Sequence, residues 1–160
     1  MVKTMKTMKK KNSYSSTRKN FNSSSSSSSN KINQFEKEIT IKFLEMLMMV
    51  KLYHWKTTSY ATHKATDELY TSLNGNIDKF IEVLLGKAGN RIGLISNKSF
   101  SLGDVDSQGK LKQRIISFKS YLVGLNNNKT IGRMGNSDLL NIRDEILGDL
   151  NQFLYLLTFK

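Results

Sequence analysis

The residue types that can do chemistry cluster in the middle of the sequence: His63 with Asp67 four residues on, Asp78 with Glu82 four residues on, and His54 nine residues before His63. On an α-helix, residues four apart are surface neighbours, and imidazole with carboxylate is a donor set for Fe(II), Mn(II) or Zn(II). On one continuous helix Asp67, Asp78 and Glu82 lie about 40°, 60° and 100° around the axis from His63. They share a face but not a height, since His63 and Asp78 are roughly 22 Å apart at 1.5 Å per residue. One straight helix cannot close a single metal site with both pairs, but two copies packed antiparallel can. His63 with Glu82, and Asp67 with Asp78, have a common midpoint beside Leu73. A twofold axis there sets His63 and Asp67 of one chain against Glu82 and Asp78 of the partner subunit, with His54 joining from the first chain. Tyr70, Leu73 and Ile77 would form the dry middle of that interface. If Asn74, Gly75 and Asn76 make a turn instead, the two pairs face each other within one chain. Taken singly, each residue also reads as an ordinary helix-surface charge.

Other chemistries are excluded by what is missing. With no cysteine there is no disulfide framework, thiolate metal site or cysteine nucleophile. Lys51 and Tyr60 stand three residues before His54 and His63, where a di-iron centre inside one bundle places glutamates. No glycine loop with Lys-Ser or Lys-Thr is present to cradle phosphates. The longest apolar run, Met46 to Val50, is far short of the roughly 20 residues of a membrane span. The chain is expected to be soluble and intracellular, without a membrane partner.

The elements that must carry these residues read as helices. Phe35, Ile39, Phe43, Met46, Leu47, Val50 and Tyr53 recur at three- and four-residue steps, and Asn33 with Glu36 resembles a capping box, so a first helix is expected from Asn33 to about Lys56. Thr57, Thr58 and Ser59 break the pattern and supply cap candidates. A second stripe runs from Tyr60 through Leu69, Leu73, Ile77 and Phe80 to Leu84, ending near Gly86. Residues 87–109 read as a long connection. The third helix carries Leu111, Ile115, Phe118 and Leu122, and the fourth starts at Asn136 or Ser137 and carries Leu139, Ile142, Ile146, Leu150 and Phe153. No strand period is sustained. The fold class is all-α, a four-helix bundle over residues 32–160 with a long crossover between its second and third helices.

The formal net charge of +12 is unevenly placed. Residues 1–32 hold eight cations and no acid, whereas residues 33–160 hold 17 basic and 13 acidic groups. Seven consecutive serines, Ser23 to Ser29, follow most of those cations. Residues 1–31 are expected to form a disordered Lys/Ser-rich tail. Its Lys3, Lys6, Lys9, Lys10, Lys11, Arg18 and Lys19 suit non-specific contact with DNA phosphates by counterion release. The bland reading is a solubilising tail.

The run Lys51 to Trp55, the His63 to Asp67 motif and the Asp78 to Glu82 motif resemble, in that order, the His-Trp, His-x-x-x-Asp and Asp-x-x-x-Glu motifs of the Dps-like mini-ferritins, members of the ferritin-like superfamily. Residues 137–140 and 149–157 look like that family's final helix. The stretch from His54 to Ala65 is closer still to a branch of uncharacterised ferritin-like proteins encoded by large DNA viruses and phages. The resemblance implies a ferritin-like subunit, a hollow dodecamer built through twofold interfaces, and a ferroxidase centre at each such interface. His54, His63 and Asp67 would come from one subunit, with Asp78 and Glu82 of the partner subunit completing the set. Iron would be oxidised there, and the basic tail would hold DNA. Trp55 is expected as a packing residue, or as a trap for oxidising equivalents near iron. The turn between the first and second helices is tighter than the family's, since only Thr57, Thr58 and Ser59 fill it. The alternative is a viral structural or nucleoid-associated ferritin-like protein, in a virion or viral nucleoid, without redox activity.

Overall fold

Apolar residues at three- and four-residue steps reach one side of the chain only if it coils into a helix, and each of the four expected stripes does so. The computed structural model describes residues 23–93, 102–132 and 135–159. They form α1 (Ser23–Lys56), α2 (Tyr60–Ala88), α3 (Gln108–Gly124), a 3₁₀ turn (Leu125–Asn127), the single-turn α4 (Lys129–Gly132) and α5 (Ser137–Leu156). Every regular element among the described residues is helical, so the protein is all-α.

Two boundaries depart from expectation, and one open alternative within α2 is decided. Helix α1 begins at Ser23 rather than Asn33, so the tail boundary expected at residue 31 falls inside it. Phe35 and Ile39 are buried and anchor the helix. Extending it backwards through the serines then adds one hydrogen bond per residue without a new nucleus. Lys3, Lys6, Lys9, Lys10, Lys11, Arg18 and Lys19 lie outside the described residues. Helix α2 runs straight through Asn74, Gly75 and Asn76. A helical glycine costs about 1 kcal/mol, but Gly75 faces open space, while Leu73 and Ile77 on either side are buried in the chain's own core and so do not form the dry middle of a twofold interface expected of them. Gly86 does not end α2; Gly89 does, in the left-handed region at φ 68°, with its N–H donating to Leu85 O at 2.9 Å.

Side-chain pairs give the helix directions. The three-residue link Thr57–Ser59 makes α1 and α2 an antiparallel hairpin. Lys79 pairs with Glu145 at 3.5 Å and Lys87 with Asp138 at 2.9 Å. Rising numbers on α2 thus meet falling numbers on α5, and these helices are antiparallel too. Helix α3 meets α5 in the same sense: Gln108 Nε2 donates to Leu157 O, and Arg143 Nη1 to Leu122 O. Helices α2 and α3 are therefore parallel, which a short loop cannot achieve, and in the connection between them Val105 is buried just before α3. Phe43 lies at the centre, edge-on to Phe80 of α2 (5.2 Å) and Phe118 of α3 (6.0 Å).

Arg143 is the buried cation of the bundle. Its guanidinium donates to the Leu122 carbonyl at 3.0 Å and to Asn126 Oδ1 at 2.9 Å, closing the C-terminal end of α3, and Nε meets Asp144 Oδ1 at 2.7 Å. Asn128 Oδ1 accepts from Thr130 N (2.9 Å) and Ile131 N (3.3 Å), starting α4 and turning Ile131 into the core.

Candidate metal centre

The α1–α2 turn assembles the candidate site. Ser59 is the N-cap of α2, its Oγ accepting from Thr62 N at 3.3 Å. That cap starts α2 immediately, so His63 in its first turn lies beside His54 in the last turn of α1. The carbonyls in a helix's last turn have no partner within the helix. His63 Nδ1 supplies one, donating to His54 O at 3.0 Å. The relation is reciprocal, for His54 Nδ1 donates to His63 O at 3.0 Å and lies 3.3 Å from Thr66 Oγ1. The two rings stack with centroids 3.8 Å apart.

This pairing decides the tautomers. A carbonyl oxygen only accepts, so both Nδ1 atoms carry hydrogen. Thr66 Oγ1 has carbonyl acceptors at Thr62 O (2.8 Å) and His63 O (2.9 Å) for its one hydrogen, so toward His54 it presents a lone pair. Orienting an imidazole by an Nδ1–H bond to a carbonyl leaves Nε2 for a metal, as in most histidine metal ligands. His54 Nε2 is directed at Asp67 Oδ1, 3.9 Å away. His54 is buried and the Asp67 side chain about half exposed, at 49%.

The chain brings together three of the five expected ligands, His54, His63 and Asp67. Asp78 and Glu82 are exposed on the far half of the same uninterrupted helix. The arrangement in which a turn at Asn74–Asn76 folds the two pairs together within one chain is therefore excluded. Among the described residues no cluster of three or more histidine or acidic side chains has the geometry to hold a metal within a single chain. Next to the site, a groove of about 400 Å³ between α2 and α5 is lined by Asp67, Glu68 and Asp149. Burial, with Glu145 nearby, pushes the Asp149 carboxyl up from its ordinary value, against a hydrogen bond from Asn76 that lowers it.

Two neighbours differ from the sequence reading. Trp55 is no packing residue within the chain: it is 68% exposed, with Lys51 Nζ 5.7 Å from its ring and 4.7 Å from that of Tyr70. The last turn of α1 ends one residue later, so its outward side has no helix to cover it. Thr66 was not anticipated; its only signal in the sequence is a hydroxyl three residues after His63, on the buried side of α2.

The sequence profile of a family described as of unknown function, DUF5856, matches residues 54–157. All five candidate ligands fall within that span. An uncharacterised 14.6 kDa protein from the mobD–ri intergenic region of Enterobacteria phage T4 is 41% identical over 54 residues, 31% of this chain and 42% of the relative. The chain thus aligns with less than half the length of that relative. No solved structure matches.

Proposed function

The chain belongs to the DUF5856 family, and from that premise we propose that it is a Dps-like, ferritin-like protein that takes Fe(II) as substrate at twofold subunit interfaces and oxidises it. His54, His63 and Asp67 of one subunit would bind the iron with Asp78 and Glu82 of the partner subunit. Mn(II) and Zn(II) suit the same donors.

The observation that carries this reading is the encounter of His54 Nε2 with Asp67 Oδ1. With Nδ1–H committed to a carbonyl, Nε2 presents a lone pair, and it faces a carboxylate oxygen at 3.9 Å. Two acceptors so placed suit a cation between them, and metal–nitrogen and metal–oxygen bonds of about 2.0–2.2 Å each span such a gap. Further support comes from the unbroken α2, with Asp78 and Glu82 exposed on the side that carries Asp67, and from the bundle's single long crossover, the ferritin-like connectivity. The basic tail would add non-specific DNA binding, multiplied across the assembly.

A second reading has its own observation. The reciprocal histidine–carbonyl bonds fasten the α1–α2 hairpin, and a proton on His54 Nε2 also satisfies the Asp67 encounter. A viral structural or nucleoid-associated protein without redox activity would keep such a fastening.

Native mass and iron oxidation separate the two. The first reading expects an even-numbered oligomer, with a dodecamer as the full assembly, and Fe(II) oxidation by peroxide well above the buffer blank. Asp78→Ala with Glu82→Ala should abolish oxidation without unfolding the bundle, because both side chains are exposed. A monomer, or a blank-level rate from the folded wild type, overturns it. Deleting residues 1–22, which leaves α1 whole, should weaken DNA binding and flatten its salt dependence; an unchanged salt slope would move the DNA contact to the bundle.

A further inference from the structure

Between α1 and α3 lies a second cavity, of about 330 Å³, near the lower end of the ~300–1,000 Å³ of small-molecule sites. Met46, Met49 and Phe118 give it an apolar lining, and all three are buried. Polarisable methionines adapt to ligands of varied shape.

Its polar side is electrically unbalanced. Lys42 Nζ is paired with Glu45 at 3.2 Å, which leaves Arg114 as the remaining charge. All 13 acidic side chains belong to described residues, and none of them forms an ion pair with Arg114. The guanidinium is seated against Gly103, where any Cβ would collide with it, so this glycine makes room for the arginine head at the cavity wall. Tyr121 also borders the cavity, but its Oη is buried beyond the reach of a water-sized group and has no hydrogen-bond partner.

We infer that this cavity binds a small organic anion with an apolar body, a medium-chain carboxylate being the simplest form. Its carboxylate meets Arg114, and its chain lies over Met46, Met49 and Phe118. Arg114, exposed and outside any ion pair, matches one negative charge. A polyanion such as nucleic acid needs a line of cations, which this half-open pocket with its one unpaired arginine does not offer.

The test is calorimetric titration of the full-length protein with sodium decanoate below its micelle concentration, alongside decanol as the uncharged twin. Decanoate should bind saturably, one per chain, and decanol on the order of tenfold more weakly, because the charge-assisted bond to the guanidinium is lost. Arg114→Gln should weaken decanoate by a similar factor. Gly103→Ala displaces the flexible end of Arg114 without touching backbone and should weaken it to an intermediate degree. No saturable decanoate binding overturns the inference. So does equal binding of decanol, which requires no variant, or unchanged affinity in folded Arg114→Gln.

Discussion

Two grooves of the bundle are similar in size and opposite in charge. The one between α2 and α5 is lined by Asp67, Glu68 and Asp149 and adjoins the histidine pair, whereas the one between α1 and α3 has Arg114 as its unbalanced charge. The difference follows from how the helices share out charge. Helix α3 carries four cations and no acid, while α5 carries four acids and one arginine, Arg143, which is turned inward. These helices pack against each other, so each presents its sign to a different outer seam. A bundle body that is only mildly basic in total is therefore polarised, with a cation-seeking groove on one side and an anion-seeking groove on the other.

The largest perturbation of this comparison should come from Phe43, which touches the helices of both seams. Phe43→Ala should cost about 3–5 kcal/mol, as large-to-small core substitutions do, and urea unfolding should show both grooves failing together. Next in size is Arg143→Met, which strips the last turn of α3 of its donor while leaving the α5 stripe apolar. A loss of about 2–3 kcal/mol is expected from hydrogen bonds made by a charged group, again read by urea unfolding. The independence of the grooves is sharpened by a crossed pair of variants. Asp67→Asn should reduce Fe(II) oxidation at least about tenfold, as loss of a metal ligand or its orienting partner does, and leave decanoate affinity unchanged; Arg114→Gln should do the reverse. Either variant disturbing both readouts would break the comparison.

The smallest effect concerns Glu36, buried on α1 with Oε1 unpartnered and Oε2 accepting from Asn90 Nδ2 at 3.3 Å. Burial pushes this carboxyl above its ordinary value of 4.5. The fold thus favours its neutral form: the group costs nothing below that ordinary value, and its cost grows as pH rises through the raised folded value. Glu36→Gln should therefore stabilise at neutral pH, by under about 1 kcal/mol. The gain should vanish below pH 4.5, which melting curves across that range would reveal.

Much of the architecture was legible from residue order because burial has a period. Phe35 to Tyr53 and Leu111 to Leu122 can be hidden only by helices, and both stripes are buried as expected. The capping role of the 57–59 break also followed from residue type, since a serine before an apolar-periodic run satisfies helical N–H groups. Helix ends were less legible. The start of α1 depends on an anchored helix extending into serines, and the end of α2 on which of two glycines, Gly86 or Gly89, takes the left-handed conformation. Both are competitions that local sequence leaves nearly balanced. Within the candidate site, the shared face of His63, Asp67, Asp78 and Glu82 was arithmetic. The tautomers were not, because a ring nitrogen's proton depends on which carbonyl folding brings within 3.0 Å.

Residue order by itself determined the all-helical class, the four apolar stripes, the absence of thiolate chemistry and the charge-rich segments, because periodicity and composition act locally and need no partner. The tertiary structure alone decided that α2 is unbroken through Asn74–Asn76, that His54 and His63 hold each other's backbone carbonyls, and that Trp55 faces outward. It also decided that Arg114 and Tyr121 share a cavity with Met46 and Met49. Each of these depends on which residues distant in sequence come within a few ångströms, and helix packing sets that distance through the close fit of side chains such as Phe43, Phe80 and Phe118.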